Sequence, residues 1–321
     1  MRLSGFKQNA ANSRRMGDVL FQAVTKACAL FLLVLVFAIG WQLVVSAMPA
    51  IKAFGWDFLL NESWDPVMGE FGAAASIWGT VVSSLIALII AVPVSLGVAI
   101  FLTQIAPNFM RRPVGIAVEL LAAIPSIIYG FWGLFVLTPW LAEYVQPWIY
   151  EAFGNWPVVG VLFQGPPMGI GLFSAGLVLS IMVIPFMASI LIDLFNTVPT
   201  QLKEASYGLG STRFEMISKV VIPYARVGIV GSFMLGLGRA LGETMAVTFV
   251  IGNAHILSPS IFEPGTTIAS TLANEFSEAS GGLYVSSLLY LGLVLFLLTF
   301  VVLICARLML WRLTYQAGGK R

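Results

Sequence analysis

Long apolar runs separated by short polar stretches set the pattern of this chain. Six of them lie at about 27–48, 74–102, 114–141, 169–192, 227–252 and 283–311. Crossing a hydrocarbon core takes about 20 apolar residues, so the pattern predicts an all-α integral membrane protein with six transmembrane helices. Residues 1–26 and 312–321 flank them as polar ends. The first run exceeds the roughly 7–15 residues of a secretory signal core, so an uncleaved first helix is expected. The runs at 74–102 and 283–311 are long enough to tilt or protrude. Prolines at 93, 125, 139 and 185 fall inside or near the ends of runs. In a membrane such prolines mark kinks or lined cavities as readily as breaks.

Composition sharpens this reading. Apolar residues make up 59% of the 321 residues and charged residues only 10%, with a mean hydropathy of +0.93. A soluble domain carries roughly a quarter charged residues. The placement of charge matters more than its total. Arg2, Lys7, Arg14, Arg15 and Lys26 precede the first run, Arg111 and Arg112 follow the second, and Lys203, Arg213, Lys219 and Arg226 follow the fourth. Arg307, Arg312, Lys320 and Arg321 sit at the end of the sixth, so 15 of 17 basic residues share one side of a six-span chain. Only Lys52 lies opposite, and Arg239 is within a run. The positive-inside rule then places both termini in the cytoplasm, and the even number of spans agrees.

The opposite loops are acidic, with Asp57, Glu62, Asp65 and Glu70, then Glu143 and Glu151, then Glu263, Glu275 and Glu278. They read either as a solvated rim or as a landing surface for an extracytoplasmic partner. Cys28 and Cys305, in separate apolar runs, are expected to pack as small hydrophobes. His255 stands alone and is expected only to occupy a loop. No disulfide framework, metal-ligand spacing or nucleophile–base pair is present, so neither a metal nor a catalytic residue is expected. No phosphate-binding G-x-x-x-x-G-K-[S/T] loop occurs, so this chain is expected to bind no ATP in that way and no other cofactor.

The polar stretch 199–223 has its own pattern. Pro199 suits a first helical turn, Leu202, Ala205 and Leu209 form a short apolar stripe, and Gly208 and Gly210 offer helix-ending positions. Thr212 and Glu215 fit a capping box opening a second helix, which Pro223 is expected to end. Such a helical pair lies either on lipid headgroups, through Lys203, Arg213 and Lys219, or in a groove of a soluble cytoplasmic subunit.

Arg239 lies about 12 residues into the fifth run, roughly 18 Å deep in a ~30 Å core. Glu243 falls one turn further along the same helical face, and each such charge costs about 2.5–3.5 kcal/mol on insertion scales. One reading is a self-neutralising pair at i,i+4. The other is a water-accessible path that meets an oxyanion, because arginine presents a planar donor fork matched to phosphate or sulfate and keeps its charge. Glu243 would orient that fork, or accept a hydrogen bond from a protonated oxyanion. Glu119, in the third run, is a secondary candidate expected to be paired with a basic group or wetted near the cytoplasmic end.

Two sets of residues carry a family resemblance. Glu204-Ala205-Ser206, then Gly210, then Val220, Ile222 and Pro223 resemble the EAA loop of ABC importer permeases, with Ser206 in place of the second alanine. The runs from Gly236 to Gly252, Glu119 to Gly133 and Thr271 to Phe276 resemble the permeases of phosphate-specific (Pst) ABC importers, in the binding-protein-dependent transport system inner membrane component family. The resemblance implies a type I ABC importer permease fold in the bacterial inner membrane and passage of the anion by alternating access. It implies coupling through Glu204, Ala205, Ser206, Gly210 and Pro223 to two ATP-hydrolysing subunits (PstB-like). It further implies a second permease (PstA-like), a periplasmic phosphate-binding protein (PstS-like), and a role for Arg239 and Glu243 in phosphate passage. A sulfate- or molybdate-type ABC permease, and an ion channel with a regulatory cytoplasmic loop, are the alternatives that uptake selectivity and ATP dependence would separate.

Overall fold

The computed structural model describes the backbone of residues 3–157 and 159–318, and side chains for 17–157, 159–308 and 311. Arg2, Lys320 and Arg321 lie outside the described residues, as do the side chains of Lys7, Arg14, Arg15 and Arg312. Ten helices matter here: α1 (Leu3–Phe54), α2 (Ala74–Ile105), α3 (Asn108–Ala122), α4 (Ser126–Phe153) and α5 (Leu172–Asn196). They continue as α6 (Thr200–Gly208), α7 (Arg213–Leu241), α8 (Met245–Val250), α9 (Ile268–Glu275) and α10 (Gly282–Gly318). Among the described residues there is no strand, only isolated bridges at Asp65–Glu70 and Gly252–Gly265. Among the described residues, five helices are long and apolar enough to cross a membrane, six when α3 and α4 count as one broken span.

Helix α5 is the centre of the bundle. Ala175, Val178, Leu179, Met182, Val183 and Met187 are buried on it, and α2, α3, α7 and α8 pack around it. Apolar burial contributes little between helices when the solvent is itself hydrocarbon, so close packing through small residues must hold them. Helix α2 supplies those residues: Ser76, Thr80, the adjacent Ser83 and Ser84, Ala87, Ala91 and Ser95 follow one another at helical spacing, and all are buried. Their stripe lets α2 pack intimately on α5. On the outside, α1 pairs with α10, where Gly40 meets the ring of Phe296. Cys28 and Cys305 do not lie in the packed interior as expected; both are on exposed faces of α1 and α10.

The apolar run at 114–141 is not one straight span. Helices α3 and α4 meet at 89°. Pro125 forces the residue before it away from helical geometry, so the helix stops at Ala122 and restarts at Ser126. The Tyr129 hydroxyl donates to the Leu121 carbonyl at 2.8 Å and fixes the bend. Glu119 therefore sits exposed on α3, and no ion pair to it is found among the described residues.

Two polar clusters pin the irregular segments. Thr266, Ser270 and Thr271 share hydroxyl hydrogen bonds, Ser76 joins Thr271 at 3.1 Å, and the Ile268 amide donates to Thr80 at 2.9 Å. These bonds tie the start of α9 to α2. At the end of α9, the Glu275 carboxylate accepts from the Trp64 indole and from the Tyr284 hydroxyl at 2.8 Å, and His255 Nε2 lies 2.8 Å from its other oxygen. His255 also stacks on Trp64, with ring centroids 5.4 Å apart. The lone histidine thus occupies a loop, as its sequence context suggests, but its Nε2 is tied to Glu275 and its ring to Trp64.

Candidate functional site

The fifth apolar run breaks where its charges lie. Helix α7 ends at Leu241, Gly242 to Thr244 leave helical geometry, and α8 begins at Met245. Arg239 is therefore in the last turn of one helix, where the negative end of the dipole favours a cation. Glu243 lies before the next helix, and its carboxylate accepts from the Ala246 amide at 3.4 Å, meeting an otherwise unpaired donor of the first turn. The self-neutralising i,i+4 pair, one of the two readings of these charges, is not formed. The helix stops between the two residues, and no ion pair joins them.

What meets Arg239 is aromatic. Its guanidinium carbon lies 5.2 Å from the centroid of the Phe186 ring on α5. Its Nε is buried without a hydrogen-bond partner. An unpaired donor atom shut from solvent is costly unless something arrives to accept from it, although the Arg239 side chain as a whole is only half-buried. Gly236, one turn earlier, permits this arrangement: a Cβ there would come within 2.5 Å of Met187 Sδ and 3.2 Å of Val183. The break opens onto a hollow of about 460 Å³, lined by Gly242 and Thr244 together with Leu272, Ala273 and Phe276 of α9 and its continuation and Leu295 of α10. Neither Arg239 nor Glu243 is part of that lining. Broken helices with irregular backbone occur at membrane depth where they border a cavity or lie within protein.

The other candidate residues gather at the far end of α7. Glu204 and Ala205 are exposed on α6, and Ser206 is its buried residue. Gly210 turns the chain with φ +84°, a conformation that costs glycine nothing. Thr212 and Glu215 form the expected capping box, the Glu215 amide donating to Thr212 Oγ1 at 3.3 Å and the Thr212 amide donating back at 3.0 Å. Met216, Ile217 and Val221 pack onto Leu191, Phe195 and Val198, so the loop is anchored to the end of α5. Leu202, Leu209 and Phe214 instead stand exposed, the last two at 88% and 77%. Lys203 is held below the usual lysine range, first by burial and then by the nearby Arg111 guanidinium.

Pro223 does not end a helix. Residues Ile217–Val221 form a π-turn, with the Ile222 amide reaching back to Ile217, and the helix continues through Pro223 to Leu241. Proline cannot donate to the carbonyl four residues earlier and its ring collides with that group. One wider turn shifts the register just before it and relieves both problems. Pro223 and Arg239 are thus 16 residues apart on one continuous helix, about 24 Å at 1.5 Å per residue. The turn residues and Arg239 occupy opposite ends of one rod. The Phe186 contact and the Ser/Thr cluster were not evident in sequence; hydroxyls recurring inside apolar runs were the available signal for the latter.

A bundle centred on one buried helix, with broken spans and a helical loop leading into α7, has the fold of ABC importer permeases. Solved structures share this fold. A bacterial alginate ABC transporter superimposes with a TM-score of 0.60 over 92% of this chain and 97% of that one, at 17% identity. The MetNI methionine ABC transporter gives 0.55 over 78% and 99%, at 18% identity. No family model matches the chain. Curated relatives are much nearer in sequence. A phosphate transport system permease protein PstC from Mesorhizobium japonicum is 55% identical over 94% of this chain and 92% of its own. The PstC of Pasteurella multocida is 54% identical over 94% of each. A probable PstC from Methanocaldococcus jannaschii is 41% identical over 80% and 82%. The chain belongs to the PstC family of phosphate transport system permeases.

Proposed function

We propose that this chain is one permease subunit of an ATP-driven phosphate importer in the bacterial inner membrane, with both termini cytoplasmic. It pairs with a second permease, receives phosphate from a periplasmic binding protein, and is driven by two ATPase subunits that alone bind ATP. Membership of the PstC family over nearly the whole chain is the observation that carries this reading.

In this reading each of the named residues has a part. Leu202, Leu209 and Phe214 form an exposed apolar surface around Glu204, Ala205 and Gly210, fit to insert in a groove of the ATPase. Movement of that loop is carried along α7, through the π-turn, to Arg239 about 24 Å away. Arg239 then meets phosphate with its donor fork, and its unpaired Nε supports that role. Glu243, held at the start of α8, accepts a hydrogen bond from the protonated oxygen that phosphate carries near neutral pH. Alternating access follows if closure of the ATPases swings α7 against α5.

The test is labelled-phosphate uptake by Arg239→Gln, measured per assembled complex. A hydrogen bond to a charged group is worth about 1.5–3 kcal/mol, so uptake is expected to fall at least about tenfold to hundredfold. Uptake equal to the parent in an assembled complex overturns the role given to Arg239.

A further inference from the structure

We propose that Phe186 is a positioning residue for Arg239, holding the guanidinium in the path while leaving its donors free for the anion. This rests on the reading of Arg239 as a path residue. Among the described residues, no hydrogen bond or ion pair engages the Arg239 side chain. The carboxylate nearest in sequence, Glu243, lies beyond the helix end and accepts from the Ala246 amide. Among the described residues, the ring that faces it is Phe186, 5.2 Å from the guanidinium carbon, inside the ~6 Å range where a ring attracts a cation.

The local fold sets that distance. Phe186 follows the buried Pro185 on α5, between Val183 and Met187, the two residues against which Gly236 packs. Gly236 is three positions before Arg239, on the same side of α7. A close approach of α5 and α7 therefore lies one turn from the ring and the charge. No larger residue at 236 would keep this spacing without moving Met187.

The chemistry favours a ring over a carboxylate here. A carboxylate would occupy the planar fork in a bidentate pair and compete with an oxyanion for the same N–H groups. A ring attracts the charge through its quadrupole and accepts none of the in-plane donors. Arg239 is thus located without being satisfied. A passing phosphate meets a fixed cation with open hydrogen-bonding capacity and no carboxylate to displace.

The experiment compares Phe186→Met and Phe186→Trp in the full transporter with its binding protein, scoring phosphate uptake per assembled complex beside Arg239→Gln. A packing role alone ranks the substitutions by fit: methionine adapts to the space, and tryptophan overfills it. A positioning role ranks them by ring: tryptophan retains the cation contact and methionine loses it. Phe186→Met is expected to lower uptake about threefold to thirtyfold, the range a cation–π contact spans, and Phe186→Trp to keep most of it. Transport by the Met variant equal to or above that of the Trp variant overturns the positioning role. If Arg239→Gln also transports normally, the path reading itself fails. If only the Phe186 order is wrong, that reading stands without this residue.

Discussion

Glu275 holds three segments of the chain together with one carboxylate. Burial pushes its pKa up, but hydrogen bonds from His255, Tyr284 and Trp64, and the nearby His255, outweigh that and hold it below the ordinary carboxylate range. A carboxyl whose pKa is lower when folded than when unfolded contributes stability above its unfolded value of about 4.3, and loses it as pH falls through the folded value. Glu275→Gln keeps the shape and removes the charge. Its melting temperature in detergent is expected to lie below that of the parent from neutral pH down to about pH 5, with the gap closing below about pH 4. A gap that stays constant down to about pH 3 would show that the charge of Glu275 is not what matters. None of this was legible locally, because Trp64 and Glu275 are 211 positions apart. The sequence marked Glu275 only as one of several acidic loop residues. Arg239 was different: a charge inside an apolar run is conspicuous at any distance from its partners, and its neighbour Phe186 was not.

Helix α7 shows where residue patterns describe an element well and where they do not. Its start was legible because a capping box is local, needing only Thr212, Glu215 and the turn between them. Thr212→Ala removes one acceptor for the first-turn amides and is expected to cost about 1 kcal/mol of helix stability. Amide exchange at Phe214 to Met216 should then quicken about fivefold while exchange at Met234 to Ala240 is unchanged. Equal protection in both variants would mean that packing of Met216 and Ile217 alone holds the turn. The passage through Pro223 was not legible. Proline predicts a stop, but a π-turn supported by Ile217 and Val221 against α5 gives the chain a way past it. The break at Gly242 was hidden for the opposite reason. An apolar run reports what the solvent tolerates and not whether the backbone is continuous. The break is held by short-range polar contacts, with Glu243 on the Ala246 amide and Thr248 on the Thr244 carbonyl.

At the scale of the whole molecule, the two ends differ in chemistry. The first turn of α3 approaches α6, where Arg111 acts on Lys203. Trp64, His255 and Tyr284 converge on Glu275 in a separate cluster. From the excess of basic residues among the loops on the first side, we propose that this end faces the cytoplasm and the acidic cluster faces outward. Single cysteines test this directly. Cys28 and Cys305 are exposed and pack on nothing in the core, so serine is expected to replace both without loss of assembly. In that background, Val67→Cys, at a site 91% exposed in the loop before α2, should react with a membrane-impermeant maleimide in spheroplasts and not in inverted vesicles. Asn108→Cys, exposed at the start of α3, should do the reverse. Leu209→Cys, at a site 88% exposed in the turn after α6, should follow Asn108 when the ATPase subunits are stripped and be protected when they return. Labelling of Val67→Cys and Asn108→Cys from the same side would overturn the orientation. Leu209→Cys that stays reactive with the ATPase restored would leave the orientation intact and remove the coupling role of the loop. The three sites thus separate a question of topology, which turns on the charges of the loops, from one of assembly, which turns on the apolar surface at Leu202, Leu209 and Phe214.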